Sequence, residues 1–293
     1  MIELRHLKYF VAVAEHLHFA LAAEALGISP PTLTVQIQQL ERRLQARLFA
    51  RTKRAVSLTA AGEAFLAEAQ LALRQVERTI NVGQLAGRGQ LGRIEIGYVG
   101  SAAYSGVLQQ QLRLFRRAFP QVLVTVREQP MARLPELLKD GQVDIAFVRL
   151  PIVLDRSLRS QVVLRDRYCV ALPAEHRLAS ASGPVKSREL ATETFIVPEQ
   201  DSGTKEVSRR GRFALDAPSR PGSLLQVLTE VSFGAGVAIV PDILQGALDM
   251  PNVVFKPLAG EPINSEVAAV YRGFERSPVV KNLIEQLLRT SIA

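Results

Sequence analysis

Between Arg42 and Arg54 the chain carries six basic side chains, Arg42, Arg43, Arg47, Arg51, Lys53 and Arg54, and no acidic one. Such a run is what neutralising a phosphate backbone requires, and it is also the composition of a solvated helix face. The 293 residues have a formal net charge of +8, and the first 90, with eleven bases and seven acids, hold half of it. That balance favours a polyanionic partner. Other candidate chemistry is thinner. Gly87, Gly89 and Gly92 have the spacing of a dinucleotide-binding fingerprint. They follow a helical segment and precede a strand, the reverse of the order that sets a pyrophosphate on a helix N-terminus, so a flexible hinge is the plainer reading. Ser202-Gly203-Thr204-Lys205 has the Ser-x-x-Lys spacing of a serine nucleophile, but no Ser-Asp-Asn or Lys-Thr-Gly follows. A polar helix start is the alternative there. The four histidines, His6, His16, His18 and His176, lack metal-ligand spacing, so neither metal nor cofactor is expected. Cys169 is the single cysteine and sits in the apolar run Tyr168–Leu172, which reads as inert packing in a strand. A lone cysteine excludes a disulfide framework and fits a reducing cytosol. No apolar run approaches the roughly 18 residues that span a bilayer, and Met1–His6 has no apolar signal core, so no membrane partner is expected.

The elements that must position these groups follow from hydrophobic period. Leu4, Leu7, Phe10, Val11 and Ala14 mark a first helix, and Ala22, Ala23 and Leu26 a second. Gly27-Ile28-Ser29 breaks the pattern, Ser29 can cap the next helix, and Pro30-Pro31 suits its first turn. Leu33, Ile37, Leu40 and Leu44 give that third helix an apolar face, with Thr32, Thr34, Val35 and Gln38 on the other. Two short helices about a tight glycine turn form a helix-turn-helix. Residues 46–58 read as a β-wing, and a helix from Thr59 to about Arg88 carries the stripe Phe65, Leu66, Ala69, Ala72, Leu73, Val76 and Ile80. About thirty helical residues span roughly 45 Å, and so narrow a stripe calls for a partner helix, which predicts a dimerising linker. From Arg93 strands and helices alternate, which predicts parallel βαβ units in two lobes around a ligand cleft.

With these motifs in place, the first 65 residues resemble the winged helix-turn-helix of LysR-type transcriptional regulators. The resemblance is carried by Leu4–Glu15, Phe19–Ala23, Leu26–Ser29, Leu33-Thr34, Gln36-Ile37, Leu40-Glu41, Leu48–Arg51 and Leu58–Gly62. The remainder is similar to the family's effector domain, through Phe119-Pro120, Leu138 with Gly141 and Val143–Ala146, and Gly234 with Gly236–Pro241. Tyr98–Ser101, Arg149–Pro151 and Leu172–Leu178 look most like the branch that regulates aromatic-compound catabolism. Several positions depart from the family pattern. Pro30 stands where a Gln is usual and Val35 where an Arg is usual. Gln45-Ala46 replaces Leu-Gly or a similar pair, and His18 and Ala20 replace a common Ser and Thr. Val35 cannot bond a guanine edge but can meet a thymine methyl.

The resulting expectation is an α+β multidomain chain. Residues 1–58 form the winged helix-turn-helix and 59–90 the linker helix and hinge. Residues 91–293 form a two-lobed α/β domain of periplasmic-binding-protein type, with lobe I at about 91–163 and 264–293 and lobe II at about 164–263. Double-stranded DNA is the expected partner of Pro30, Pro31, Thr32, Thr34, Val35 and Gln38 on the recognition helix, and of Arg51, Lys53 and Arg54 on the wing. The resemblance implies a small organic acid between the lobes, aromatic or dicarboxylic, near Ser101, Ala102, Met131, Ser202, Gly203 and Thr204. It also implies a cytoplasmic homotetramer, with RNA polymerase as a further partner and no catalytic activity. Two other readings stay open at this point. One is a solute-binding module without a transcriptional role, against which the basic segment and long helix count. The other is a hydrolase built on Ser202 and Lys205.

Overall fold

The computed structural model describes residues 1–51 and 55–290, in two compact units, Met1–Leu85 and Ala86–Ala293. The first unit holds α1 (Leu4–His16), α2 (Phe19–Ala25), α3 (Pro30–Leu44), the antiparallel pair β1 (Phe49–Arg51) and β2 (Val56–Leu58), and α4 (Ala60–Gly87), whose last turn runs past the unit boundary. Each boundary has a local cause. The Glu3 amide donates to His6 Nδ1 at 2.9 Å and starts α1. Gly27, at φ +65°, supplies the left-handed turn between α2 and α3. The Ser29 hydroxyl accepts the Thr32 amide at 3.3 Å, and the two prolines stand in the first turn of α3. Gln45, also left-handed at φ 53°, ends it. Phe10 is fully buried at the centre, its ring centroid 5.2 Å from Phe49 and 5.0 Å from Phe65. Leu33, Ile37 and Leu40 seal the core from α3. Of the apolar stripe expected along α4, Phe65, Leu66 and Ala69 pack into this core, Ala72, Leu73 and Val76 are half-buried and Ile80 faces solvent, as do Leu71 and Val82 outside the stripe.

The second unit runs β3 (Leu91–Tyr98), α5 (Gly100–Ala103), α6 (Val107–Ala118), β4 (Gln121–Glu128), α7 (Leu134–Lys139), β5 (Ile145–Leu150), β6 (Leu158–Pro173), β7 (Thr194–Ile196), α8 (Ser202–Gly211), β8 (Asp216–Ser219), α9 (Leu224–Ser232), β9 (Ala238–Pro241), α10 (Leu244–Ala247), β10 (Val253–Pro257), β11 (Asn264–Arg272) and α11 (Pro278–Thr290). Seven strands share one hydrogen-bonded path, β10-β6-β11-β5-β3-β4, with β9 also on β6. The expected parallel pairing holds for β3 with β4 and β5, and for the separate pair β7–β8. The other pairings, β5–β11, β11–β6, β6–β9 and β6–β10, are antiparallel. The reason is that β6 and β11 are long strands crossing between the lobes, not the ends of βαβ units. The first part of β6, to Arg167, pairs with β11; from Tyr168 on it pairs with β9 and β10. Period-two alternation then splits lobe II between two cores. Tyr168, Val170 and Leu172 enter one, Cys169 and Ala171 the other.

Candidate functional site

Two places collect the groups singled out by sequence. On α3, Pro31, Val35, Gln38 and Arg42 succeed one another at three- and four-residue spacing, all exposed, opposite buried Leu33, Ile37 and Leu40. Pro30 and Thr32 are also exposed and Thr34 is half-buried. The Thr32 hydroxyl lies 2.7 Å from Ser29 Oγ, and the Thr34 hydroxyl donates to the Pro30 carbonyl at 2.9 Å. Both threonines therefore brace the first turn, and Thr34, whose hydroxyl proton is spent on Pro30, keeps acceptor capacity for a ligand. Arg42 Nε donates to the Gln38 carbonyl at 3.3 Å, which fixes that guanidinium at the helix surface.

Arg51 does less than expected as a free cation. Its guanidinium stacks 4.3 Å above the Phe19 ring and stands 3.7 Å from Glu41 Oε2. Lys53 and Arg54, the other two wing residues proposed from sequence, lie outside the described residues. Sequence reasoning passed over Glu41. It is 5% exposed, and its Oε1 accepts the Leu48 amide at 2.9 Å and the Phe49 amide at 3.2 Å. Its Oε2 lies 3.7 Å from both Arg47 and Arg51. One carboxylate thus ties the recognition helix to the start of the wing. In the sequence it stands out as the last acid before the basic run and as part of the Leu40-Glu41 resemblance, neither of which shows that it anchors the wing.

The second place is a cavity of about 310 Å³ between the lobes, lined from lobe I by Gly100, Ser101 and Glu128–Pro130, and from lobe II by Pro198–Gln200 and Arg220–Leu224. Ser101 is 4% exposed, and its hydroxyl donates across the cleft to Gln200 Oε1 at 2.7 Å. The Met131 amide likewise crosses to Glu199 Oε1 at 2.8 Å. Beneath Ser101 lies Arg149, fully buried, with Nη2 donating to the Ser101 carbonyl at 2.9 Å and Nη1 to the Ser265 hydroxyl on β11. Its Nε has no hydrogen-bond partner. Desolvation lowers the pKa of this guanidinium, against the smaller opposing pull of Tyr168 and Asp166.

Of the residues proposed for the effector, only Ser101 lines this cavity. Ala102 does not: its amide donates to the Val99 carbonyl at 2.8 Å and its side chain is buried in the lobe I core. Met131 brings its amide to the cleft edge while its side chain packs on that core. Ser202 lies 3.0 Å from the Tyr168 hydroxyl, and a Cβ on Gly203 would fall 2.7 Å from the Tyr168 ring. Thr204 is fully buried, with its hydroxyl unpartnered. These three residues support the cleft wall from behind, because the chain turns into α8 immediately after Glu199 and Gln200 have faced the cavity. The helix α5 that begins beside Ser101 is a single turn of four residues. Glu128 already packs against it, with Oε1 2.6 Å from where a Gly100 Cβ would stand. The Ser-x-x-Lys spacing makes no nucleophile pair either. Lys205 Nζ is bound to Asp201 at 3.0 Å and Ser202 to Tyr168. Among the described residues no cluster of three or more His, Cys, Asp or Glu could hold a metal, and no helix is long and apolar enough to cross a membrane.

Comparison with known proteins matches residues 4–63 to a family described as bacterial regulatory helix-turn-helix protein, lysR family. Residues 87–291 match the LysR substrate binding domain. The chain is 34% identical to the HTH-type transcriptional regulator AlsR of Bacillus subtilis, over 97% of this chain and 94% of that one. It is 35% identical to the HTH-type transcriptional regulator YnfL of Escherichia coli, over 98% of each. Among solved structures, full-length CbnR complexed with its target DNA is similar with a TM-score of 0.84 and 25% identity, over 99% of this chain and all of that one.

Proposed function

The chain belongs to the LysR family of transcriptional regulators, and on that premise we propose how its own residues bind DNA and sense a small molecule. It carries a DNA-binding helix-turn-helix and an effector-binding domain, and its relatives are regulators, not enzymes. With Arg42 one turn further on at the phosphate backbone, the α3 row Pro31, Val35 and Gln38 enters the major groove. There Val35 gives an apolar contact and Gln38 a two-pronged amide that suits adenine. Pro30 and Thr32 stand beside the sugar–phosphate backbone, with Thr34 holding the first turn, and Arg51, Lys53 and Arg54 serve phosphate or the minor groove. The exposed row on a helix whose opposite face is sealed carries this reading, and the similarity to DNA-bound CbnR supports it.

Two chains pair through the exposed residues of α4 and present two recognition helices to a pseudo-palindromic site; two such dimers make the tetramer. RNA polymerase is the downstream partner and the cytoplasm the compartment. A small effector enters the cavity between the lobes beside Ser101, and because β6 and β11 join the lobes, a change in cleft closure alters the geometry of the whole domain. An organic acid, the class expected from sequence, reaches the Met131 amide only by displacing Glu199. Footprinting of the DNA upstream of the chain's own gene tests the reading. The full chain is expected to protect a site with two half-sites on one face of the duplex, and protection that is absent at low salt refutes it.

A further inference from the structure

The cleft between the lobes carries two carboxylates, Glu128 and Glu199, against one cation, Arg220. Among the described residues the Gly100 and Ser101 amides donate to no partner, but three other donors of lobe I are engaged. Ser101 Oγ donates to Gln200, the Met131 amide to Glu199, and the Ala102 amide to Val99. Both Nη groups of Arg149, below the floor, are bound to Ser101 and Ser265 and turn no donor to the cavity. The charged acceptors come from both lobes. Glu128 lines the cavity, and among the described residues its carboxylate makes no hydrogen bond or ion pair. Glu199 brings a second carboxylate from the opposite lobe. The one cation on the wall, Arg220, stands 3.6 Å from Asp201, which also binds Lys205. With the Ser223 hydroxyl and the first-turn amides of α9, Arg220 leaves further donors on the lobe II side.

From this pattern we infer that Glu128 and Glu199 set the specificity of the effector cleft, admitting a small ligand that brings hydrogen-bond donors, hydroxyl or ammonium, and excluding carboxylic acids. The inference rests on the effector-site reading above and deepens it. A carboxylate brings acceptors alone, so it would offer the exposed Glu128 oxygens no donor and would stand beside like charge in a partly closed site. A hydroxyl or ammonium group satisfies those oxygens directly, and a charge-assisted hydrogen bond is the stronger kind. Oxygen atoms at the far end of the same ligand meet Arg220 and Ser223. A cavity of about 310 Å³ is at the small end of ligand pockets, which fits a compact polar molecule.

The test uses the full chain and three four-carbon probes: erythritol, putrescine and succinate, each titrated by calorimetry and ligand-observed NMR. Erythritol or putrescine is expected to bind at least tenfold more tightly than succinate, and whichever of the two binds better identifies the donor as hydroxyl or ammonium. Succinate binding as tightly as both, or more tightly, overturns the inference. If none binds the parent chain, the Glu128→Gln, Glu199→Gln double variant decides. Succinate binding gained by the variant supports the exclusion of acids by these carboxylates, and no gain overturns it. Should the double variant fail to fold, Glu199→Gln alone is titrated and judged in the same way. DNA binding by the parent chain is measured in the same preparations without any probe. Loss of that activity would strike the regulator reading itself, whereas intact DNA binding with the wrong probe order strikes only the assignment of ligand class.

Discussion

Replacing Glu41 by alanine would remove the acceptor of two amides that are themselves buried, since Leu48 and Phe49 are 1% and 3% exposed. A hydrogen bond to a charged group contributes about 1.5–3 kcal/mol, and a buried donor left without a partner costs a comparable amount. Together the two bonds give an expected loss of about 3–5 kcal/mol from the N-terminal unit. The arginine contacts of the same carboxylate are the lesser effect. Arg47 is 80% exposed and 3.7 Å away, and exposed pairs of this kind contribute about 0–1 kcal/mol. The expected order of destabilisation is therefore Glu41→Ala, then Glu41→Gln at about 1–2 kcal/mol because an amide oxygen still accepts, then Arg47→Ala near zero. Urea unfolding followed by hydrogen exchange and mass spectrometry reads the N-terminal unit separately. Exchange at Leu48 and Phe49 should accelerate first, and DNA affinity should fall as β1 loses its anchor. If Arg47→Ala costs as much as Glu41→Ala, the ion pair and not the amide anchoring holds this corner, and the reasoning fails.

Arg42→Ala should weaken binding to every DNA sequence and lower the log–log salt slope by about 0.9, measured by fluorescence anisotropy at several salt concentrations. Gln45 sits at φ 53°, so Gln45→Gly should stabilise the N-terminal unit by up to about 1 kcal/mol in the same urea experiment; a loss would mean that its side chain contributes more than its backbone costs. Burial, with smaller help from nearby Asp242, holds the Cys169 thiol well above the usual range, so it should resist iodoacetamide at pH 8–9 until urea unfolds the C-terminal unit. A fragment of residues 1–90 should sediment as a dimer at micromolar concentration, and Ile80→Asp should shift it toward monomer, because Leu71, Ile80 and Val82 leave apolar surface exposed along α4.

The helix-turn-helix was readable in the residues because each signal there is local. A glycine turn, a serine cap and the Leu33, Ile37, Leu40 spacing all act within one helical turn of the bond they make. What escaped was set by distant partners. The first part of β6 escaped because Arg159, Arg165 and Arg167 interrupt it; their side chains lie on an exposed face that only the pairing with β11 explains. The cavity wall was approached but misplaced by a few residues. Ser202 to Thr204 have the polar look of a binding loop, yet Glu199 and Gln200 face the space, and which side of the turn does so depends on how β7 enters α8. Arg149 entered only through the resemblance of Arg149–Pro151, and nothing in the sequence signalled its burial. A cation at the end of an apolar strand reads as an exposed terminus until Ser101 and Ser265 close over it.

That one strand serves both lobes has a consequence for building hybrids of this chain. Side chains of β6 alternate between the two cores of lobe II from Tyr168 onward, while the residues before Arg167 keep register with β11. A single inserted or deleted residue at the crossing would leave lobe I unchanged and send Tyr168, Val170 and Leu172 into the space built for Cys169 and Ala171. Recombination that grafts a foreign sensing lobe onto this regulator must therefore preserve the parity of β6, whatever the lengths of the loops it imports. Loop length can drift between such chimeras; an odd change in the number of residues through the crossing cannot.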